Sequence, residues 1–330
     1  MNLEPNSEQR LLETLETEKN RRHTENRLAY YKAYPKQLHF HTAGATHRER
    51  LMCAGNQLGK TLAGGFEAAM HATGRYSDSW KGKRFDKPTV GWACGVSGEV
   101  VRDTVQRILL GRSGAIGTGT IPKDAIVETI TARGIADLVG TIKVQHVSGG
   151  VSLIGLKSYL AGREAFQGET LDWAWADEEC DSGIYTELLT RLNVGNGPLF
   201  MTFTPLLGVS EVVRRFLHEK SPGRHVTFMT IDDVGHFSDE EKQRIIASYP
   251  KHELEARTKG IPILGSGRIF PVEESKIVCE HREFPKSLAA HWRNGLRLGP
   301  PFRCRRARLG PRHRHRLCVP LSSTQGIDAD

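Results

Sequence analysis

An eight-residue segment, A-G-N-Q-L-G-K-T at positions 54–61, constrains the fold of this chain more than any other feature. It follows a short apolar run at 51–53 and precedes a helix-like stretch from 61 to 70. A loop between a strand and a helix can present its backbone N–H groups and the helix N-terminus to an anion. The segment therefore predicts a phosphate-binding loop. Ala54 replaces the first glycine of the pattern, which costs little if its φ is negative.

The residue types in this loop predict a nucleotide site. Lys60 is expected to reach the β- and γ-phosphates, and the Thr61 hydroxyl is expected to bind Mg²⁺. The remaining positions are expected to surround the phosphates with their backbone; they are Ala54, Gly55, Asn56, Gln57, Leu58 and Gly59. The alternative, a chance turn, is disfavoured by the strand and helix patterns on either side.

Two adjacent carboxylates follow another apolar run. Residues 171–176 read L-D-W-A-W-A and end in Asp177 and Glu178. A carboxylate at the carboxyl end of a strand can hold Mg²⁺ through its water shell, and a neighbouring carboxylate can orient and deprotonate an attacking water. We assign Asp177 to the metal and Glu178 to the general base. A solvated acidic loop is the alternative, which the phosphate loop upstream disfavours.

Apolar runs alternate with helix-like segments through residues 33–265. This alternation predicts an α/β fold of the P-loop NTPase type, a three-layer sandwich with a mostly parallel central sheet. Residues 1–32 are expected to form an N-terminal helix. Residues 111–140 are Gly-rich and are expected to be an irregular surface excursion, whereas Ser148-Gly149-Gly150 predicts a hairpin turn.

Composition excludes some classes of protein. No run approaches the roughly 18 apolar residues of a membrane span, and no signal peptide is expected. The six cysteines lack metal-binding spacing and indicate reduced cytosolic thiols. Residues 291–330 carry nine Arg, no Lys and two Asp of a chain whose net charge is +8, so the preceding residues are nearly neutral and give no argument about DNA.

In their order along the chain, these motifs resemble the ATPase domain of the large terminase subunit, the motor that packs DNA into tailed-phage heads. The resemblance covers about residues 25–275. Beyond the loop and the carboxylate pair it rests on Y-P-K-Q-L-H-F-H at 34–41, L-A-G-R-E-A-F-Q-G at 160–168 and T-F-T-P at 202–205. It implies that the nucleotide is ATP, bound with Mg²⁺.

The resemblance also implies roles for further residues. Gln37 corresponds to a glutamine whose amide contacts the adenine edge. Arg163 precedes the carboxylate pair at a spacing similar to that of the family's trans-acting arginine, which stabilises charge on the transferring phosphoryl group. Thr202 and Thr204 resemble the coupling motif that senses the γ-phosphate. An ordinary surface arginine and a plain strand ended by Pro205 are the alternatives.

The expected partners and location follow from the same resemblance. They are double-stranded DNA, a portal protein, a small terminase subunit and further copies of the chain in a ring. No membrane partner is expected. The expected location is the cytoplasm of a bacterial host, transiently at the portal of the procapsid.

A complete family member would continue into a nuclease domain, and the residues after 265 depart from that expectation. We interpret 266–293 as a linker and 294–330 as an aberrant, disordered Arg-rich tail. With permitted codons, another reading frame over 296–319 can encode an apolar strand with an early Asp, so we hypothesise a frameshift near residues 294–296. A genuine basic arm is the alternative. On either account no nuclease activity is expected.

Two other functions are open at this point. The chain could be an inactive prophage remnant that folds and binds ATP without packaging DNA. It could also be a helicase-like translocase with the same ATP site, although the chain has too few residues left for a second RecA-like domain. ATP hydrolysis with and without DNA distinguishes these functions.

Overall fold

The computed structural model describes residues 7–219, 221–251 and 253–262. Their strands are β1 (Glu49–Ala54), β2 (Val90–Gly95), β3 (Ile126–Thr131), β4 (Val139–Gln145), β5 (Val151–Ser158), β6 (Trp173–Asp177), β7 (Leu199–Phe203) and β8 (Arg224–Met229). Their α-helices are α1 (Ser7–Glu25), α2 (Pro35–Ala43), α3 (Lys60–Thr73), α4 (Gly98–Val100), α5 (Arg107–Leu110), α6 (Ser182–Arg191), α7 (Glu211–Leu217), α8 (Asp239–Ser248) and α9 (Leu254–Lys259).

These strands form one sheet in the order β3-β4-β5-β2-β6-β7-β1-β8. The strands from β5 to β8 in that order run parallel, and β3 and β4 are added antiparallel at one edge. The predicted α/β fold with a mostly parallel sheet is therefore confirmed. Because the strands are parallel, the segments that follow β1, β6 and β7 meet at the same edge of the sheet.

The central strands are continuous apolar runs because helices cover both faces of the sheet. Every residue of β6 and β7 is buried. One face packs with α3 and includes Trp173 and Trp175, and the other packs with α6 and α7. Gly64 of α3 permits close contact with the sheet, since a Cβ at this position would lie 2.3 Å from Nε1 of Trp175.

The interpretation of 111–140 as an irregular excursion is wrong in part, because β3 lies within it. This strand is at the edge of the sheet and pairs with β4 alone. No residue of β3 is fully buried, so the strand lacks the alternation of buried apolar and exposed polar residues that identifies strands in a sequence. The hairpin predicted around Ser148 is confirmed between β4 and β5.

Within the N-terminal helix predicted for residues 1–32, the described residues form α1, and a 3₁₀ turn at Arg27–Tyr30 follows it. No helix in the described part of the chain is long and apolar enough to cross a membrane. The predicted linker at 266–293 and the tail at 294–330 lie outside the described residues.

A buried ionic cluster joins α2, α3 and β1 beneath the loop. The Glu67 carboxylate in α3 is fully buried and accepts hydrogen bonds from both terminal nitrogens of Arg50, at 2.5 and 3.1 Å. Nδ1 of His41 lies 2.7 Å from the same carboxylate. Burial alone would raise the pKa of Glu67, but the charge of Arg50 and the hydrogen bond with His41 hold it well below its usual value. The helix that begins at the loop is thus tied to the strand that leads into it.

Replacing Glu67 with Ala would leave the buried Arg50 charge without its partner. We expect this change to lower the free energy of unfolding by about 3–5 kcal/mol. Asp124→Ala is the matched control, because Asp124 forms an equally well-aligned pair with Arg75 at the surface, where such pairs contribute about 0–1 kcal/mol. Urea denaturation measures both changes. Equal losses in the two variants would contradict the assigned role of the buried cluster.

Candidate nucleotide-binding site

The predicted phosphate loop connects β1 to α3 at the carboxyl edge of the sheet. Gly59 precedes the first residue of α3 with a φ of 84°, and Gln57 also has a positive φ of 59°. Left-handed backbone at these two positions curves the chain around the N-terminus of α3, where backbone N–H groups lack partners within the helix. Leu58 is fully buried and anchors the loop to the core. The loop thus has the shape that an anion site requires.

Thr61 and Asp177 are 116 residues apart in sequence and meet in this site. The Thr61 hydroxyl donates to Oδ2 of Asp177 at 3.3 Å. Oδ1 of the same carboxylate accepts from the Thr202 hydroxyl at 2.8 Å, and that hydroxyl accepts from Nε1 of Trp175 at 2.8 Å. Asp177 is therefore held between α3 and β7, with each carboxylate oxygen oriented by a different element.

The electrostatics of Asp177 favour a cation beside it. Burial, followed by the nearby charge of Glu178, raises the pKa of Asp177 to about 7. The described residues contain no group of three or more His, Cys, Asp or Glu arranged to hold a metal. One carboxylate and one hydroxyl are nevertheless the protein ligands that Mg²⁺ commonly uses when phosphate oxygens and waters complete its octahedron. The donor set at Thr61 and Asp177 fits Mg²⁺ in a nucleotide complex.

Glu178 faces the loop from a strained backbone. Its φ is 65°, in the left-handed region that Glu rarely adopts. Its backbone N–H donates to the carbonyl of Thr202 at 3.0 Å, and its side chain is 40% exposed. Oε1 lies 3.7 Å from Nζ of Lys60, whose side chain is 10% exposed. This conformation turns the Glu178 carboxylate out of the sheet and toward the lysine of the loop.

The first part of the loop contacts both the residue that follows β7 and the last described helix. The Thr204 hydroxyl donates to the Ala54 carbonyl at 2.8 Å and to Oδ1 of Asn56 at 3.2 Å. The backbone N–H of Asn56 donates to the carbonyl of Arg257 in α9 at 2.9 Å. A Cβ at Gly55 would lie 2.4 Å from the same carbonyl, so α9 rests directly on the loop. Thr202 and Thr204 therefore contact opposite sides of the candidate site.

Gln37 lies beside the loop and is buried. Its Nε2 donates to the Gly59 carbonyl at 2.9 Å, and its Oε1 accepts from the Tyr34 backbone N–H at 2.9 Å. It lines a cavity of about 650 Å³ together with loop residues and aromatic side chains, among them Gln57, Tyr34 and Phe66. The structure places Gln37 next to the phosphate loop. Its Oε1 also accepts from the Tyr31 hydroxyl at 3.5 Å, so one N–H of the amide is left without a partner among the described contacts.

Arg163 is held in a different part of the carboxyl edge. It begins a 3₁₀ turn at Arg163–Phe166, and its Nε and Nη2 lie 2.8 and 2.7 Å from Oε1 of Glu187 in α6. The Arg163 side chain is 61% exposed, whereas that of Glu187 is 8% exposed. Among the described contacts, Arg163 has none with the loop of its own chain. The exposed guanidinium of Arg163 is therefore held in place by its ion pair with the buried Glu187 carboxylate.

Three residues at this site were not predicted from the sequence. Glu187 holds Arg163, the carbonyl of Arg257 contacts the loop, and the Tyr159 hydroxyl contacts the backbone of Asp177 and Glu178. Nothing in the local pattern identifies them, because each acts through a contact with a residue distant in sequence.

The sheet order and the loop geometry together define an α/β nucleotide-binding fold. Within that class, a family model described as "Terminase large subunit, T4likevirus-type, N-terminal" matches residues 51–277. The chain belongs to the terminase large subunit family, and the matched part is the N-terminal ATPase domain of that family. The resemblance inferred from the motifs is thereby confirmed.

Individual relatives agree with this assignment. The chain is 43% identical over 304 residues to the terminase large subunit of Salmonella phage P22, which covers 86% of this chain and 61% of the relative. It is 38% identical over 196 residues to that of Enterobacteria phage LP7, which covers 58% of this chain and 41% of the relative. The chain thus spans about three fifths or less of the length of these relatives.

A solved structure shares the fold. The large terminase from a thermophilic bacteriophage superposes with a TM-score of 0.50 at 15% identity, over 70% of this chain and 52% of that chain. At this identity the similarity concerns the fold alone.

The strained backbone of Glu178 predicts an unusual response to glycine. A left-handed conformation costs a non-glycine residue about 1–2 kcal/mol, whereas the added flexibility of glycine in the unfolded chain costs about 0.4–1 kcal/mol. We therefore expect Glu178→Gly to be more stable than Glu178→Gln by about 0.5–1 kcal/mol. Both variants remove the charge that faces Lys60, so their difference in chemical denaturation reports chiefly the backbone.

Gln167 provides the control for this comparison. It is exposed and has a φ of −98°, so glycine relieves no strain there. Gln167→Gly should be less stable than the wild-type chain. If glycine destabilises position 178 as it does position 167, the backbone of Glu178 is not strained.

Proposed function

We propose that this chain is an ATP-hydrolysing motor subunit that drives double-stranded DNA into an empty phage head. One observation supports the ATPase part above all others: the Thr61 hydroxyl and the Asp177 carboxylate meet at 3.3 Å beside Lys60 of the loop. Membership of the terminase large subunit family supports the packaging role. The proposal concerns the ATPase domain, since the chain spans 61% of the phage P22 relative.

In the proposed complex the loop surrounds the phosphates of ATP. The backbone of 54–61 and the Lys60 ammonium bind the phosphate oxygens. Mg²⁺, held by Thr61 and Asp177, would offset charge on the phosphates. Gln37 would contact the adenine with the second N–H of its amide, from the wall of the cavity beside Gly59.

Hydrolysis requires a base and a cation at the γ-phosphate. The Glu178 carboxylate would accept a proton from the attacking water as the new P–O bond forms, and the bond to the β–γ bridging oxygen would break to release ADP and inorganic phosphate. Glu178 is suited to this role because its side chain is partly exposed and faces Lys60. Arg163 of a neighbouring copy would stabilise charge on the transferring group.

Release of phosphate would be transmitted through β7. Thr202 contacts Asp177, and Thr204 contacts Ala54 and Asn56, so the two hydroxyls link both sides of the site to one strand. A change in either contact would shift that strand end against the loop. We further propose that the motor acts as a ring on a portal protein in the bacterial cytoplasm, with a small terminase subunit as a partner.

The first test is ATP hydrolysis by the purified chain with two variants. Lys60→Ala should abolish both binding and hydrolysis, whereas Glu178→Gln should keep nucleotide affinity and lose about 100-fold or more in kcat, as expected for a general base. A fluorescent ATP analogue measures binding and phosphate release measures turnover. Wild-type turnover no higher than that of Lys60→Ala would instead identify an inactive remnant. ATP-dependent unwinding of duplex DNA would identify a helicase-like translocase.

The position of Arg163 predicts complementation between subunits. Arg163→Ala and Glu178→Gln should each be inactive alone, because each lacks one part of every site. In a mixture, a subunit with an intact Glu178 can receive Arg163 from its neighbour, so activity should return to a substantial fraction of the wild-type rate. Steady-state ATPase assays over a range of mixing ratios measure this recovery. The control is Arg191→Ala, which removes another arginine that pairs with Glu187.

Failure to recover activity at any ratio would contradict action between subunits. The same conclusion would follow if Arg163→Ala retained the wild-type rate.

A further inference from the structure

Tyr159 makes two hydrogen bonds that the proposed mechanism does not use. It lies directly after β5 and is 8% exposed. Its hydroxyl lies 3.0 Å from the carbonyl of Asp177 and 3.1 Å from the carbonyl of Glu178, so it donates to both in a shared hydrogen bond. The Tyr159 side chain thus contacts two successive peptide units, the one that joins Asp177 to Glu178 and the one that joins Glu178 to the next residue.

These contacts fall at the strained position of the site. The left-handed Glu178 residue is held on one side by its N–H, which donates to Thr202 in β7. On the other side its carbonyl is held by Tyr159. A strained conformation persists where several surrounding contacts each hold it in place, and such positions cluster at functional sites. Without the second contact, the peptide could relax to a negative φ and turn the carboxylate away from Lys60.

Tyr159 is suited to this task because its ring is packed in the core and its hydroxyl is a donor. The ring packs against Phe166, with 6.4 Å between the ring centroids. Both partners of the hydroxyl are carbonyl oxygens, which can only accept, so the hydroxyl acts as the donor. The chain from Tyr159 continues through a short 3₁₀ turn at Tyr159–Ala161 to Arg163, so the same segment carries two groups of the site.

We propose that Tyr159 is a positioning residue, whose hydroxyl holds the backbone of Glu178 in the left-handed conformation that directs the base at the nucleotide. This inference rests on the proposed role of Glu178 as the general base. Tyr159 does not touch the reacting atoms. The competing explanation is a core tyrosine whose hydroxyl only satisfies buried carbonyls, in which case its loss would affect stability without a specific effect on turnover.

The kinetic test is Tyr159→Phe, which removes the hydroxyl and keeps the ring. We expect kcat to fall by about tenfold or more, since small misplacements of a catalytic group can cost up to about 100-fold. The KM for ATP and the affinity for a fluorescent ATP analogue should stay within about twofold of the wild-type values, because the loop is unchanged. The control is Tyr185→Phe, since Tyr185 is fully buried and donates to Glu49 at the opposite edge of the sheet.

Tyr185→Phe should keep the wild-type kcat even if it lowers the melting temperature as much as Tyr159→Phe does. Equal falls in kcat in the two variants would overturn the proposal, as would an unchanged kcat in Tyr159→Phe.

A stability comparison tests the hold on the backbone without any assay of activity. In the wild-type background, Glu178→Gly should melt about 1–3 °C higher than Glu178→Gln, because glycine removes the strain. In the Tyr159→Phe background the released peptide relaxes, so glycine only adds flexibility to the unfolded chain and the sign of this difference should reverse. A difference of the same size in both backgrounds would overturn the proposal. Absence of ATP hydrolysis in the wild-type chain would overturn the proposed function of Glu178, while the melting comparison would still decide whether Tyr159 holds this peptide.

Discussion

The carboxylate of Asp177 determines how the candidate site is assembled. One of its oxygens accepts from Thr61 at the start of α3, and the other accepts from Thr202 in β7. A buried carboxylate is costly unless it is hydrogen-bonded, so these two contacts fix the helix and the strand relative to each other. The parallel pairing of β6 with β7 and of β7 with β1 brings Asp177 and the loop to the same edge of the sheet.

At this edge of the sheet, two features that suit the proposed ATP site lower the stability of the folded chain. Asp177 is buried with a raised pKa, and Glu178 is held at a φ of 65°. Both features lower the stability of the chain without nucleotide, and both place charge where a phosphate complex with Mg²⁺ would need it. The cluster of Arg50, Glu67 and His41 lies below the loop, where buried and well-paired charges support the elements that carry this strain.

Much of this site could be predicted from the sequence because its parts are local. The loop at 54–61 and the pair Asp177 and Glu178 each follow an apolar run, and the structure brings the side chains of Thr61 and Asp177 together. The edge strand β3 was missed because none of its residues is fully buried, so its sequence lacks the alternation of buried apolar and exposed polar residues. Glu187, Arg257 and Tyr159 were missed because each acts through a contact with a residue distant in sequence. The left-handed backbone of Glu178 could not be foreseen, since Glu is a residue type that disfavours it.

The loop and the two carboxylates are proposed to form a single ATP site. A crystal structure of the Glu178→Gln variant with ATP and Mg²⁺ tests this proposal, because slow turnover would preserve the bound nucleotide. Nζ of Lys60 should contact the β- and γ-phosphates, and the cation should lie between the Thr61 hydroxyl and the Asp177 side chain. A nucleotide bound elsewhere, or a cation that contacts neither residue, would contradict it.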